Sequence, residues 1–203
     1  MPKVSPEHTE ARRRQILEAA MQCFSKQGFH GTTMKDIVKA SGLSAGAIYN
    51  HFSAKAEIID AIARERHESE AALLAGALAE NGKPAELSAL ARAFFATFAG
   101  EEHRDSRRVG VEVWAEALRN PDVLKTVRRG VDEPRRLLSR LIVECQQREE
   151  LPAEIDPDGF ASVMVAVFQG FILQQAWDPE TDNERYLAAL EVILAALAAY
   201  AKE

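Results

Sequence analysis

The sequence of 203 residues is 47% apolar and 28% charged, which is ordinary for a globular protein of one or two domains. Its two cysteines, Cys23 and Cys145, cannot form a disulfide framework, so we expect buried, reduced thiols rather than a redox or metal site. No basic segment followed by an apolar core opens the chain, and the most apolar run, residues 159–173, is shorter than the about 20 residues that cross a bilayer. These features predict a cytoplasmic protein with no membrane partner.

Charge is distributed unevenly along the chain, although the net charge is only −6. Residues 1–55 carry eight lysines and arginines and four acids, a net charge of +4, whereas the rest of the chain carries −10. A basic end on an acidic body favours contact between that end and a polyanion. The alternative is that the charges simply coat a solvated face.

Apolar residues recur at spacings of three and four throughout, with no alternating strand pattern, so we predict an all-α fold of about nine helices. The first helix spans about 9–27 and ends at Gly28. Thr33 and Asp36 have the spacing of a capping box for the second helix, which ends at residues 41–42. Ser44 precedes a short third helix at about 45–51, and Ser53 precedes a fourth that runs to about residue 78.

The second and third helices are joined by a three-residue turn, Ser41-Gly42-Leu43, in which Gly42 supplies a positive φ angle. Two short helices joined in this way form a helix-turn-helix, whose second helix enters the DNA major groove. Residues 44–47 are small and let the helix approach base edges, and alanine methyls can contact thymine. Each residue also has a plainer interpretation, since Thr33, Ser44 and Ser53 are good helix caps and Tyr49 could be a half-buried aromatic.

The order and spacing of residues 29–55 resemble the DNA-binding domain of the TetR family of bacterial regulators. The residues that carry this resemblance are Phe29, Gly31, Thr32, Thr33, Asp36, Ile37, Ala40, Gly42, Leu43, Ser44, Gly46, Ile48, Tyr49, His51, Phe52 and Lys55. It implies a three-helix DNA-binding domain at 1–55, a ligand-binding and dimerisation domain at 56–203, and a helix from about residue 54 that links them. It also implies a homodimer on a palindromic DNA operator.

The resemblance implies a set of DNA contacts in and around the helix-turn-helix. They are Thr33, Lys35, Ser44, Ala45, Gly46, Ala47, Tyr49, Asn50, His51 and Lys55. This chain departs from many relatives by carrying alanines where they have a longer polar residue. Direct readout of bases is therefore expected to be sparse, and the operator sequence cannot be predicted.

The C-terminal region begins after a break at residues 81–84 and contains four or five further helices. They are predicted at about 84–99, 109–118, 121–149, 157–177 and 181–201. Asn120-Pro121 and Asp156-Pro157 are each a cap followed by a proline at the first helical position. Pro134 lies inside the third of these helices, where we expect a kink or a break.

The last two helices are predicted to form the homodimer interface. The segment 160–177 is apolar on nearly every face and needs cover on every face, and the final helix has small residues that let helices approach closely. The alternative is one ordinary buried core. The predicted interface residues are Phe160, Val167, Leu187, Leu190, Leu194 and Leu197.

Aromatic residues are concentrated in the C-terminal region, where the resemblance implies a pocket for a small, largely apolar effector. The alternative is that these residues are core. The predicted lining residues are Phe95, Phe98, Trp114, Phe168, Phe171 and Gln175. Such an effector would favour a body conformation that swings the fourth helix and mis-spaces the two DNA-reading helices.

The sequence argues against an enzyme. His67 and His103 lie far apart, and there is no metal-binding pair of histidines, no Glu-x-x-His motif and no glycine-rich phosphate loop after a strand. We therefore predict no catalytic residues, no metal and no cofactor. An effector-independent architectural DNA-binding protein remains the alternative, and a choice between repressor and activator is not made by these residues, although repression is usual for the family.

Overall fold

In the computed structural model, residues 6–80, 87–178 and 180–200 can be described. Within these ranges the chain forms nine α-helices and one short 3₁₀ helix, and contains no strand, which confirms the predicted all-α class. The helices are α1 (Pro6–Gly31), α2 (Met34–Ser41), α3 (Ala45–Tyr49), α4 (Lys55–Glu80), α5 (Leu87–Ala99), the 3₁₀ helix (Glu101–His103), α6 (Arg104–Ala117), α7 (Pro121–Gln147), α8 (Pro157–Trp177) and α9 (Asn183–Tyr200). The break predicted at residues 81–84 lies outside the described ranges.

The chain folds into two compact units, and this structural division differs from the functional division predicted at residues 55 and 56, which stays a prediction. The first unit contains Met1–Arg66 and Asp105–Val127, and the second contains His67–Arg104 and Arg128–Glu203. The reason for the difference is that α4 is continuous across residue 56, and that the N-terminal helices share their core with α6 and the start of α7.

The core of the first unit is built from the apolar faces of α1, α2, α3, α4 and α6. Four residues of α1 that precede Gly28 are buried there, as are one isoleucine each from α2 and α3. Its buried members are Ile16, Leu17, Ala20, Phe24, Phe29, Ile37, Ile48, Phe52, Ile58, Ile59, Ala61, Ile62, Ala63, Val109, Val113, Ala117 and Val123. Because two short helices cannot bury enough apolar surface alone, this shared core is what fixes α2 and α3.

The predicted helix ends at the N-terminus are confirmed by the local geometry. Gly28 interrupts α1 with φ 70° and ψ 172°, so the final residues of α1 follow a break. Thr33 and Asp36 form the complete capping box of α2, and Gly42 ends α2 in the left-handed conformation with φ 67°. The Ser44 side chain accepts a hydrogen bond from the backbone N–H of Ala47 and caps α3.

Two of the predicted caps in the C-terminal region are also confirmed. Asn120 Oδ1 accepts a hydrogen bond from the N–H of Asp122 at 3.1 Å, and Asp156 Oδ2 accepts one from the N–H of Gly159 at 2.7 Å. Of the kink or break predicted at Pro134, the break is not found, because α7 continues as a helix through this residue. One missing amide removes a single hydrogen bond, and the rest of a 27-residue helix retains its own.

The second unit contains the apolar helix α8. This helix of 21 residues is long and apolar enough to cross a membrane by length and composition, whereas the apolar run identified in the sequence, residues 159–173, is too short. A core helix of a globular protein meets the same criteria. Here Ala161, Met164, Val165, Phe171 and Ile172 of α8 are buried within the protein.

Both cysteines are buried and free. Cys23 belongs to α1 and Cys145 to the cluster of α5, α7 and the following loop that also contains Leu90 and Ile142. Burial raises the pKa of both thiols, which makes each a poorer nucleophile. Their environment is that of small apolar core residues.

The leucines of α9 face the core of their own protomer, unlike the predicted interface. Leu187, Leu190 and Leu194 are only 2%, 6% and 3% exposed in the single chain, so they have no surface left to offer a second copy. Phe160 and Leu197 are half-buried against the Leu90–Ile142 cluster, and Val167 is half-buried in α8. The periodicity of α9 identified a buried face correctly, but this face is covered by the same chain.

Candidate nucleic-acid interface

Helix α1 stabilises the turn between α2 and α3 through a hydrogen bond. Gln15 Nε2 donates a hydrogen bond to the backbone oxygen of Ser41 at 2.8 Å, and the N–H of Leu43 donates to Ser41 Oγ at 3.3 Å. Gly42 completes the turn with φ 67° and ψ 11°, which glycine adopts without steric cost. The angle between α2 and α3 is therefore fixed by hydrogen bonds as well as by the buried Ile37 and Ile48.

The outer face of α3 is open, as a helix that enters a groove requires. Ser44, Ala45 and Gly46 are exposed, Ala47 is half-buried, and a Cβ atom built on Gly46 would meet nothing within 4 Å. Small residues at this end let the helix backbone come close to a flat or convex partner.

Larger polar groups lie at the C-terminal end of α3. Tyr49 is 52% exposed and Asn50 is exposed, while His51 is half-buried with its ring centroid 6.5 Å from that of Phe52. The phenol and the amide are free to donate to phosphate or to base edges. The structure thus places Tyr49, Asn50 and His51 together, next to the small residues of the predicted reading helix.

Thr33 and Lys35 lie at the start of α2 and are both exposed. Thr33 Oγ1 donates to Asp36 Oδ2 at 2.6 Å and accepts from the N–H of Asp36 at 3.3 Å, so this hydroxyl is engaged in its capping box. The hydrogen bonds from the side chain and backbone of Thr33 hold the pKa of Asp36 below its usual value. Lys35 projects from the same first turn of α2 and adds positive charge there.

Lys55 has a different environment from the one predicted. Its ammonium donates to the backbone oxygen of Phe29 and, at 2.7 Å, to that of Thr32. The side chain is half-buried and ties the start of α4 to the segment between α1 and α2. In this structure Lys55 connects the helices around the turn, and its contact with DNA stays a prediction.

Two contributors to this region carry no local signal in the sequence. Gln15 is 26 residues from the carbonyl it contacts, and Glu112, whose Oε2 accepts a hydrogen bond from the N–H of Phe29 at 3.2 Å, is 83 residues away. Arg13 of α1 also forms an ion pair with Glu65 of α4. These contacts join residues far apart in sequence and depend on how α1, α4 and α6 pack in three dimensions.

The residues predicted to line an effector pocket fall in different units. Trp114 belongs to the first unit, where the guanidinium of Arg66 lies 5.4 Å from the centre of its ring. The others belong to the second unit, in which four phenylalanines, two from α5 and two from α8, are packed together. Their ring centroids are separated by 5.4 Å for Phe95 and Phe168, 5.3 Å for Phe98 and Phe168, and 5.3 Å for Phe95 and Phe171.

Gln175 is the polar member of the predicted pocket and is 2% exposed on α8. Its Nε2 has no hydrogen-bond partner among the described residues, although a buried amide normally has one. An unpaired buried donor costs about 1–3 kcal/mol. Among the described residues, no three His, Cys, Asp or Glu side chains are grouped so that they could hold a metal ion.

Two family models together match most of the chain. Residues 16–62 match the model described as bacterial regulatory proteins of the tetR family, and residues 83–199 match that of the BetI-type transcriptional repressor C-terminal domain. The chain belongs to the TetR family. The match to the second model shows that the C-terminal region, which has no tight motif, is also that of a regulator.

Two relatives are similar to this TetR-family chain over almost its whole length. The HTH-type transcriptional repressor AcnR of Corynebacterium diphtheriae is 31% identical, over 94% of this chain and 95% of AcnR. GusR of Salmonella enterica has a similar structure, with a TM-score of 0.75, 28% identity, and coverage of 97% of this chain and 98% of GusR. The SmeT–triclosan complex shares the fold, with a TM-score of 0.73 at 22% identity over 92% and 90% of the two chains.

Proposed function

We propose that this protein is a DNA-binding transcriptional repressor that acts in the cytoplasm as a homodimer on a palindromic operator. The observation that carries the proposal is the outer face of α3, where small exposed residues are supported by a glycine turn on the positively charged end of the chain. Its relatives are named as transcriptional repressors or regulators, which supports the same role.

In this proposal Ser44, Ala45, Gly46 and Ala47 enter the major groove, and Tyr49 and Asn50 bond to phosphates or base edges. Alanine methyls contact thymine methyls without hydrogen bonding, so base discrimination is modest for each contact. Two copies spaced by about 34–36 Å, one helical turn of DNA, provide the missing specificity. Lys55 contributes to binding by holding the helices in place.

The electrostatic part of the proposal is tested with Lys35→Ala and, as the matched control, Arg136→Ala on the exposed surface of α7 in the second unit. The probe is a labelled duplex enriched by the wild-type protein from a random-sequence library. Because a homodimer loses one Lys35 contact in each protomer, Lys35→Ala should reduce the slope of log Kd against log salt by about two phosphate contacts. Arg136→Ala should leave the slope unchanged. Failure of the wild type to enrich any duplex would refute DNA binding.

For the homodimer we propose a face of α8 and α9 that differs from the leucines predicted from sequence. Val192 and Ile193 of α9 are 69% and 59% exposed, and Val163 of α8 is also exposed. Large apolar residues left exposed on α8 and α9 favour cover by a second copy. Ile193→Asp should give monomers in sedimentation experiments, whereas Val143→Asp on the surface of α7 should not. A stable dimer of Ile193→Asp would contradict this face.

We also propose that the protein responds to a small, largely apolar effector bound near the phenylalanines of α5 and α8. Two observations support it, namely the aromatic cluster and the unpaired Nε2 of buried Gln175, which would donate to an acceptor on such a molecule. The structure of SmeT with triclosan shows that a protein of this fold binds an apolar aromatic compound.

The effector proposal is tested by thermal shift and by release from the enriched duplex, with triclosan and other apolar aromatic compounds as probes. A compound that binds should raise the unfolding temperature and lower DNA affinity together, since it favours one of two conformations. Gln175→Leu should lose the response to compounds that carry a hydrogen-bond acceptor. Binding of DNA that no compound changes would favour the effector-independent regulator instead.

A further inference from the structure

The segment that joins α1 to α2, residues 28–32, is held by charged side chains from two other helices. Phe29 N–H donates to Glu112 Oε2 of α6 at 3.2 Å, and the backbone oxygens of Phe29 and Thr32 accept hydrogen bonds from Lys55 Nζ of α4. The two sides of one residue, Phe29, are thus bonded to a carboxylate and to an ammonium.

The path from this segment to the reading helix is short. Thr33, the next residue, is the N-cap of α2, and Thr32 Oγ1 bonds back to the carbonyl of Gly28 at 2.9 Å. The ring of Phe29 is buried and packs edge-on against Phe24 with centroids 4.7 Å apart. A shift of residues 28–32 therefore moves the start of α2, and α2 carries the turn that orients α3.

Glu112 is half-buried and belongs to a helix that is packed into the core. Val109 and Val113, on the same side of α6, are both 1% exposed in the core of the first unit. A Cβ built on Gly28 would lie 3.4 Å from Glu112 Oε1, so the carboxylate is close to both Gly28 and the amide of Phe29. Glu112 thus links a helix packed in the core to this segment.

We infer that Glu112 is a positioning residue for DNA recognition, which acts on α3 through the amide of Phe29 and does not touch DNA. This inference rests on the proposed function, because its effect is measured as operator affinity. It assigns a role in DNA binding to Glu112 of α6, which lies 63 residues beyond the end of α3 at Tyr49. The role depends on hydrogen-bond acceptance by this side chain rather than on its charge.

The test compares Glu112→Ala with Glu112→Gln, whose side-chain oxygen still accepts from Phe29. Glu116→Ala is the matched control, because it removes the same charge one turn along α6. The Glu116 carboxylate lies 3.7 Å from Arg119 and 4.0 Å from the exposed ring of His30, whereas the Phe29 amide donates to Glu112. The three variants and the wild type are titrated with the duplex enriched by the wild-type protein, at a temperature where circular dichroism shows all four to be folded. Amide hydrogen exchange is measured at Phe29.

Glu112→Ala should weaken binding by about tenfold with an unchanged salt slope, and should speed exchange of the Phe29 amide. Glu112→Gln should bind within about twofold of the wild type, and so should Glu116→Ala. Equal losses for the alanine and glutamine variants, or for Glu112→Ala and Glu116→Ala, would overturn the inference. A wild type that enriches no duplex defeats the proposed function itself, whereas normal binding by Glu112→Ala defeats this inference alone.

Discussion

Replacing Gly28 with alanine tests how the break in α1 is enforced. Its dihedral angles, φ 70° and ψ 172°, lie in a region essentially limited to glycine, where another residue costs about 1–3 kcal/mol. A Cβ would meet Glu112 Oε1 at 3.4 Å, an ordinary contact, so backbone conformation accounts for most of the cost. We expect Gly28→Ala to lower the free energy of unfolding of the first unit by about 2–3 kcal/mol.

Gly42→Ala is the matched control for this prediction. Its φ 67° and ψ 11° lie in the left-handed helical region, which other residues enter at a cost of about 1 kcal/mol, and a Cβ would meet nothing within 4 Å. Urea unfolding is followed by tryptophan fluorescence in a Trp177→Phe background, so that Trp114 reports on the first unit alone. If Gly28→Ala loses no more stability than Gly42→Ala, the backbone argument is wrong.

Three further substitutions test local interactions. The pKa of Asp36 is lower in the folded protein than its ordinary value of 3.8, so the capping box stabilises the fold above that value and this stabilisation is lost as the pH falls through the folded pKa. Asp36→Asn should therefore make the free energy of unfolding less dependent on pH in acid. The same pH dependence as the wild type in urea titrations would contradict this. Asn120→Ala should cost about 1 kcal/mol in thermal unfolding, because it removes the cap of α7, and an unchanged Tm would exclude a capping role. Gln175→Leu should leave the second unit as stable or stabilise it by about 1 kcal/mol, because it removes an unpaired donor, whereas a clear loss of stability would mean that the amide has a partner.

The helix ends and the turn could be predicted from sequence because their signals are local. Thr33 acts on Asp36, and Asp156 on Gly159, each over three residues, so that spacing alone identifies the interaction. Gly42 is similarly identified by its place between two short helices. The exposure of the small residues at the start of α3 followed from the same local reasoning.

Interactions between distant segments could not be predicted. The helical spacing of apolar residues in α9 shows that Leu187 and Leu190 lie on a buried face. A core and a dimer interface produce the same spacing, so the sequence does not distinguish them. The chemistry of Lys55 suits a phosphate or a carbonyl equally well, and the choice depends on where Phe29 and Thr32 lie in space. Glu112 had no signal of any kind, since its partner is a backbone amide that every residue except proline possesses.

The N-terminal helices share their core with α6 and the start of α7, so we expect a fragment without these helices to be unstable. Residues 1–66 alone would lack the buried side chains of Val109, Val113, Ala117 and Val123, and would expose the apolar surface that these cover on α1 and α4. A chain of this length is already marginal in the area it can bury. We expect fragment 1–66 to be largely unfolded by circular dichroism, and a synthetic peptide of residues 105–127 to restore helicity in trans. The peptide with Val109 and Val113 both replaced by aspartate is the control and should restore none. A fragment 1–66 that folds and binds DNA by itself would show that α6 is dispensable for the reading head, against both the shared core and the role inferred for Glu112.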